Sequence, residues 1–112
     1  MRIMLVVVGL ALLASLQSCS EDDDPQFRIR NDRPTKANVQ IKTTGGNTIN
    51  INDVEQGVLT PYQSAAPGGI EATAVIQGES VSPTLGFAAF TDETYTIIVT
   101  NSTPPTLSYS SP

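Results

Sequence analysis

Histidine and tryptophan are absent from this 112-residue chain, and cysteine occurs once, at Cys19. Without histidine there is no His-based catalytic triad, no side chain that titrates unperturbed near neutral pH, and none of the commonest transition-metal ligand. A single cysteine has no partner for an intrachain disulfide, so the fold must rest on its core alone. Basic residues are scarce, six against eleven acidic ones, and none follows Lys42. Nucleic-acid binding leaves a basic stripe and a strongly positive domain, so that class is excluded on charge. Long apolar runs are missing too. The one extended stretch, residues 3–13, is shorter than the ~20 apolar residues that a membrane-spanning helix needs.

What is present is most informative near the N-terminus. Met1 and Arg2 make a minimal positive start, residues 3–13 are almost all apolar, and residues 14–18 turn small and polar, which is the three-part plan of an export signal. Leu16-Gln17-Ser18-Cys19 resembles a bacterial lipobox, with Gln17 a less usual choice at its middle position. The resemblance implies cleavage before Cys19 and placement of a diacylglyceryl group, usually with a third palmitate-type chain, on that residue. A single acyl chain holds a protein to a bilayer only marginally and stable anchoring takes at least two signals, so this modification makes the attachment effectively permanent. The alternative is a stray thiol in a leader cut elsewhere.

Ser20-Glu21-Asp22-Asp23-Asp24 follows at once, ending at Pro25. Four adjacent carboxylates repel one another and resist burial, so the segment reads as an extended, solvated tether. It also resembles the export signal of surface lipoproteins in the Bacteroidetes, where a short acidic stretch after the lipidated cysteine directs the protein to the outer face of the outer membrane. That resemblance implies a cell-surface location; a passive spacer on the periplasmic side is the alternative. Once Arg2 leaves with the leader, five basic residues (Arg28, Arg30, Arg33, Lys36, Lys42) face all eleven acids, a formal charge of −6. Four of those acids lie in the tether, so the body is close to neutral.

The organisation expected is therefore a helical signal peptide at 1–18, a lipidated cysteine with acidic tether at 19–25, and one domain at 26–112. The body repeats a period-two alternation. Phe27 and Ile29 alternate with Arg28 and Arg30, Val39 and Ile41 with Asn38, Gln40 and Lys42, and Ile49 and Ile51 with Thr48, Asn50 and Asn52. Gly45-Gly46-Asn47 suits a tight turn between the second and third strands. Residues 57–65 form a further strand candidate that Pro61 confines to a sheet edge or a break. After the Pro67-Gly68-Gly69 turn, Ile70, Ala72, Ala74 and Ile76 share a face; residues 81–90 predict another strand. Thr91-Asp92-Glu93 turns into Tyr95, Ile97 and Val99, and a weak last strand surrounds Leu107 and Tyr109. The prediction is an all-β fold, a small antiparallel Greek-key or immunoglobulin-like β-sandwich of about seven strands, with a small closed barrel as the alternative.

Three landmarks resemble a known family. Phe27-Arg28-Ile29-Arg30-Asn31, Ala66-Pro67-Gly68-Gly69 and Tyr95-Thr96-Ile97-Ile98-Val99 look like the opening strand, central turn and closing strand of the exported domain of unknown function 4397 family, and more distantly of alginate-acetylation accessory proteins. The chain departs from that pattern at Arg33-Pro34-Thr35-Lys36, where the family tends towards small and acidic residues, and in holding one copy where tandem copies are frequent. The resemblance implies a fold and no established site.

Among catalytic options only paired carboxylates remain, as in glycosidases. Asp53 and Glu55 lie two apart and Asp92 and Glu93 are adjacent, and solvated turn acids explain both pairs. A calcium site on Asp92, Glu93 or Asp53 would need six to eight oxygen ligands, and the dense Asp-Asn-Gly spacing of such sites is missing. Tyr95, three residues after Asp92, resembles the tyrosine corner of immunoglobulin-like sandwiches, and alternatively packs inward. If the first two strands pair, Arg28, Arg30 and Lys42 share a solvent face that attracts an anionic glycan or partner; alternatively they guard sheet edges. The sequence thus predicts a non-enzymatic, lipid-anchored envelope module without cofactor or metal, held to the membrane through Cys19. It leaves a protein or glycan partner at the cell surface unidentified.

Overall fold

A computed structural model describes residues 23–112. They form eight strands: β1 (Gln26–Asn31), β2 (Ala37–Thr43), β3 (Thr48–Val54), β4 (Gln63–Ser64), β5 (Gly68–Ile76), β6 (Thr84–Ala89), β7 (Thr94–Val99) and β8 (Leu107–Ser110). The strands make two four-stranded sheets, ordered β4-β1-β7-β8 and β3-β2-β5-β6. This is the small all-β sandwich that the alternation predicts. All neighbours run antiparallel except β1 and β7, which pair in parallel from Gln26↔Thr94 to Asn31↔Val99. The leader, Cys19, Ser20, Glu21 and Asp22 lie outside the described residues.

Alternation decides which side chains face the core. Phe27, Ile29, Val39, Ile41, Ile70, Ala72, Ala74, Ile76, Tyr95, Ile97 and Val99 are buried, and each fully buried Ile or Phe contributes ~1.5–3 kcal/mol relative to exposure. Large residues meet small ones across neighbouring strands, with Val39 opposite Ala74 and Ile41 opposite Ala72. At one side the gap is filled by rings: Phe27 stacks on Tyr95 at 5.5 Å, Phe87 lies 5.1 Å from Tyr95, and Tyr109 stacks on Phe87 at 3.9 Å. Tyr95 fulfils both readings of its sequence position, since its ring is buried and its Oη accepts the Phe90 N–H at 2.9 Å, closing the bend before β7.

Three local expectations change. Only Gln63–Ser64 of residues 57–65 is regular strand, because Pro61 interrupts it. Thr60 still donates to the Ile29 carbonyl at 3.0 Å and Leu59 bridges Arg30, so the segment follows β1 irregularly. The strand foreseen over 81–90 begins at Thr84, after Pro83. Most consequentially, β1 and β2 lie in different sheets, so Arg28 and Arg30 do not share a face with Lys42. Nor do these residues guard edges, for β1 and β2 are interior strands.

The register also defines two poles. Residues 23–25 enter at the pole that holds the turns around 44–47, 65–67 and 90–93 and the last residues of β8. The opposite pole gathers the loops 32–36, 77–83 and 100–106 with the end of β3.

Candidate functional site

At the entry pole the chain is fastened by its backbone. Asp92 N–H donates to the Asp23 carbonyl at 2.8 Å, and Asp23 N–H donates back to Asp92 Oδ1 at 2.8 Å. Gln26 N–H reaches the Glu93 carbonyl at 3.1 Å, and Ala65 N–H the Pro25 carbonyl at 3.1 Å. Asp92 adopts φ of 64°, a left-handed conformation that Asp tolerates better than most residues. Of the sequence-predicted tether, Asp23 therefore belongs to the folded body, and Asp24 is exposed beside it. Thr91-Asp92-Glu93 has a structural task. Among the described residues no group of three or more acidic, histidine or cysteine side chains is placed to hold a metal ion.

Asp53 and Glu55 are both exposed and flank buried Val54. The register of β2 against β3 shifts between Ala37 and Val39, and Asp53 sits opposite that irregularity at φ of 57°, its N–H captured by Asn38 Oδ1 at 2.7 Å. The pair ends an edge strand with a bulge.

Among the described residues each arginine is engaged within the fold. Arg28 Nε donates to Thr96 Oγ1 at 3.0 Å while its guanidinium lies 4.6 Å from the centre of the Tyr62 ring. Exposed Arg30 pairs with Asp32 at 3.0 Å, and the hydrogen bond and charge of Asp32 hold its pKa above the usual arginine value. Arg33 is the exception in burial, with a side chain 8% exposed. Its Nη1 donates to the carbonyls of Thr100 at 3.0 Å and Ser102 at 2.9 Å, its Nη2 to Glu79 Oε2 at 3.2 Å, and its Nε is buried without a partner among the described residues. Fully buried Asn31 supports it: Oδ1 accepts the Arg33 N–H at 3.0 Å, and Nδ2 donates to the carbonyls of Thr35 and Val54, each at 2.8 Å. Asn31 and Arg33 thus tie three loops and the end of β3 into one hub at the far pole. Sequence reasoning missed this hub, because an Arg-Pro step in a loop reads as solvated.

Of three shallow depressions along the second sheet, of about 200, 290 and 330 Å³, the smallest is the one lined by no charged residue. On the outer face of the second sheet, Asn38 and Gln40 from β2, Asn50 and Asn52 from β3, and Thr73 and Val75 from β5 line a shallow depression of about 200 Å³. Gln40 Nε2 donates to Asn50 Oδ1 at 3.3 Å. Amides offer donors and acceptors together without charge, which suits hydroxyl-rich neutral ligands. No aromatic ring lines it. Elsewhere, Tyr62, 38% exposed, has the Arg28 guanidinium over one face of its ring, Tyr95 is buried, Tyr109, 44% exposed, stacks on Phe87, and Phe90, 65% exposed, lies at the entry pole.

No family model matches the chain, and no curated protein matches it. A solved structure is similar, an NMR structure of a protein from Eubacterium rectale, with a TM-score of 0.58 over 80% of this chain and 88% of that chain at 14% identity. That likeness shows the fold. A shared sandwich at this identity carries no ligand or activity with it.

Proposed function

We propose that this chain is a non-enzymatic, lipid-anchored protein of the cell envelope, whose small β-sandwich serves as a structural or interaction module. The observation that carries the reading is the order of residues 16–24: an apolar leader closing on Leu16-Gln17-Ser18-Cys19, then an acidic run. The anchor is acyl-modified Cys19 in the outer membrane, and Ser20, Glu21, Asp22, Asp23 and Asp24 direct the domain to the cell surface. The fold is compatible with this arrangement, because the acidic run reaches the sandwich at one pole and is fastened there through Asp23 and Asp92. The loops organised by Arg33 are then presented at the opposite pole. A non-enzymatic role is supported by the lack of histidine and by acidic pairs that occupy exposed bulge and turn positions.

The test is Cys19→Ala in the full chain. Loss of lipid labelling and release from the membrane fraction are expected; a variant that stays in the membrane overturns acyl anchoring. A second reading, a glycan-binding accessory domain, is favoured by the uncharged amide face of Asn38, Gln40, Asn50 and Asn52. It predicts retardation in gels containing a neutral polysaccharide and loss of that retardation in Asn50→Ala.

A further inference from the structure

Every open sheet presents two edges, whose unpaired N–H and C=O groups are a template for another strand. Three of the four edges in this sandwich carry a device against such pairing. β4 is two residues long and follows Pro61. β3 ends in the Asp53 bulge. β8 is four residues long between Pro105 and Pro112. The fourth edge, β6, has Pro83 just before it but is neither short nor bulged. Its sequence Thr84-Leu85-Gly86-Phe87-Ala88-Ala89 has no charge and no proline, and all six residues pair with β5 in unbroken register.

The hydrogen-bond phase shows which groups are open. Ala74 N–H donates to the Pro83 carbonyl at 3.0 Å, so these two residues form a hydrogen-bonded pair. In an antiparallel ladder such pairs recur every second residue, giving Ala72 with Leu85, Ile70 with Phe87 and Gly68 with Ala89. Thr84, Gly86 and Ala88 therefore turn their N–H and C=O groups to the open side. All three are exposed and small, and among the described strands β6 pairs with β5 alone.

Gly86 adds an independent observation. Its φ is not in the left-handed region, and a Cβ built there would meet only the Ile70 carbonyl at an ordinary 3.6 Å. The protomer's own geometry does not require glycine at this place, although glycine weakens a strand interior. Close approach by another backbone is one of the settings in which a mid-strand glycine occurs, and the unbroken β5–β6 register shows no bulge here.

We propose that β6 is a strand-addition site, and that its occupant is β6 of a second copy of this chain, antiparallel about a two-fold axis at Gly86. The outward triplet is its own complement: Gly86 faces Gly86 of the second copy, and Thr84 faces Ala88, each pair exchanging two backbone hydrogen bonds. An uncharged strand sets no like charges opposite each other. The nearest acid on that face, Glu71, sits on β5 opposite Gly86 with Lys42 beside it. Its counterpart in the second copy lies three strand spacings away, ~14 Å, beyond the ~8 Å screening length at physiological salt. The two sheets then run on as one of eight strands.

The test uses residues 23–112, which hold both sheets and the whole core described above. Sedimentation should show concentration-dependent association below about 1 mM, with amide exchange at Thr84, Gly86 and Ala88 slowed more than tenfold on association. Thr84→Lys with Ala88→Lys sets lysines opposite each other in the pair and should leave only monomer. The Glu counterpart at both positions should do the same, and mixing the two variants should restore a heterodimer. That rescue separates repulsion from misfolding. A wild-type chain that remains monomeric overturns the proposal, as does a dimer unchanged by the paired lysines or one whose slowed amides lie outside β6.

Discussion

Truncating Arg33 to alanine is expected to destabilise the domain by about 2–4 kcal/mol, chiefly by stranding the carbonyls of Thr100 and Ser102. Loss of the aliphatic stem, which packs within the hub, adds to this. A domain of this size holds ~5–15 kcal/mol in total, and ~4–8 °C of melting temperature accompanies each kcal/mol, so a fall of ~8–32 °C should follow. The contribution of Glu79 is separable. Its side chain is 36% exposed and meets Arg33 at 3.2 Å, a geometry in which an ion pair contributes only ~0–1 kcal/mol. Glu79→Ala should therefore cost much less than Arg33→Ala, and the Arg33→Ala penalty should change little with salt. Arg33→Lys should fall between, because one ammonium cannot span two carbonyls and a carboxylate as a planar fork does. Arg33→Met should be milder than alanine, since it keeps the stem and removes a buried charge whose Nε has no partner among the described residues. Urea unfolding followed by circular dichroism reads all four. A cost below about 0.5 kcal/mol for Arg33→Ala, or an equal cost for Glu79→Ala, would refute the hub.

Other outcomes follow from the same contacts. Tyr95→Phe keeps the stack on Phe27 but leaves the Phe90 N–H without its acceptor, and should lower stability by ~0.5–1.5 kcal/mol in the same unfolding assay. Asn31→Ala removes three hydrogen bonds at a fully buried site and should cost more than Tyr95→Phe; equal costs would contradict the role given to Asn31. Replacing residues 21–24 with alanine should leave lipid on Cys19 yet reduce digestion by protease added to intact cells, and unchanged digestion would sink the export-signal reading. Far-ultraviolet circular dichroism of residues 23–112 should be that of β structure, since no helix occurs among them.

The sandwich was legible because its inward residues keep period two: Phe27 with Ile29, Val39 with Ile41, Ile70 through Ile76, Tyr95 through Val99. Alternation names a face and not a partner, however. Nothing in Arg28, Arg30 and Lys42 reveals that β1 pairs with β4 and β7 while β2 pairs with β3 and β5. The shared basic face inferred from adjacency in sequence dissolved for that reason. Residues 57–65 were hard to read because their contacts with β1 do not form a regular ladder; Thr60 bonds to Ile29 through both its backbone and its hydroxyl. The Asn31–Arg33 hub depends on loops 67 and 69 residues apart meeting at one pole, which no local pattern encodes. The amide face lies between these cases. Asn38, Gln40, Asn50 and Asn52 were legible as outward residues, but their convergence needed the register that sets Gln40 opposite Asn50.

The central claim is that Cys19 is the lipidated first residue of the mature protein. Mass spectrometry of the intact protein extracted from membranes tests it most directly. The account predicts an N-terminal peptide that begins at Cys19 and carries a diacylglyceryl group with its acyl chains. A mature chain that begins at another residue, or one with an unmodified Cys19 thiol, would contradict it.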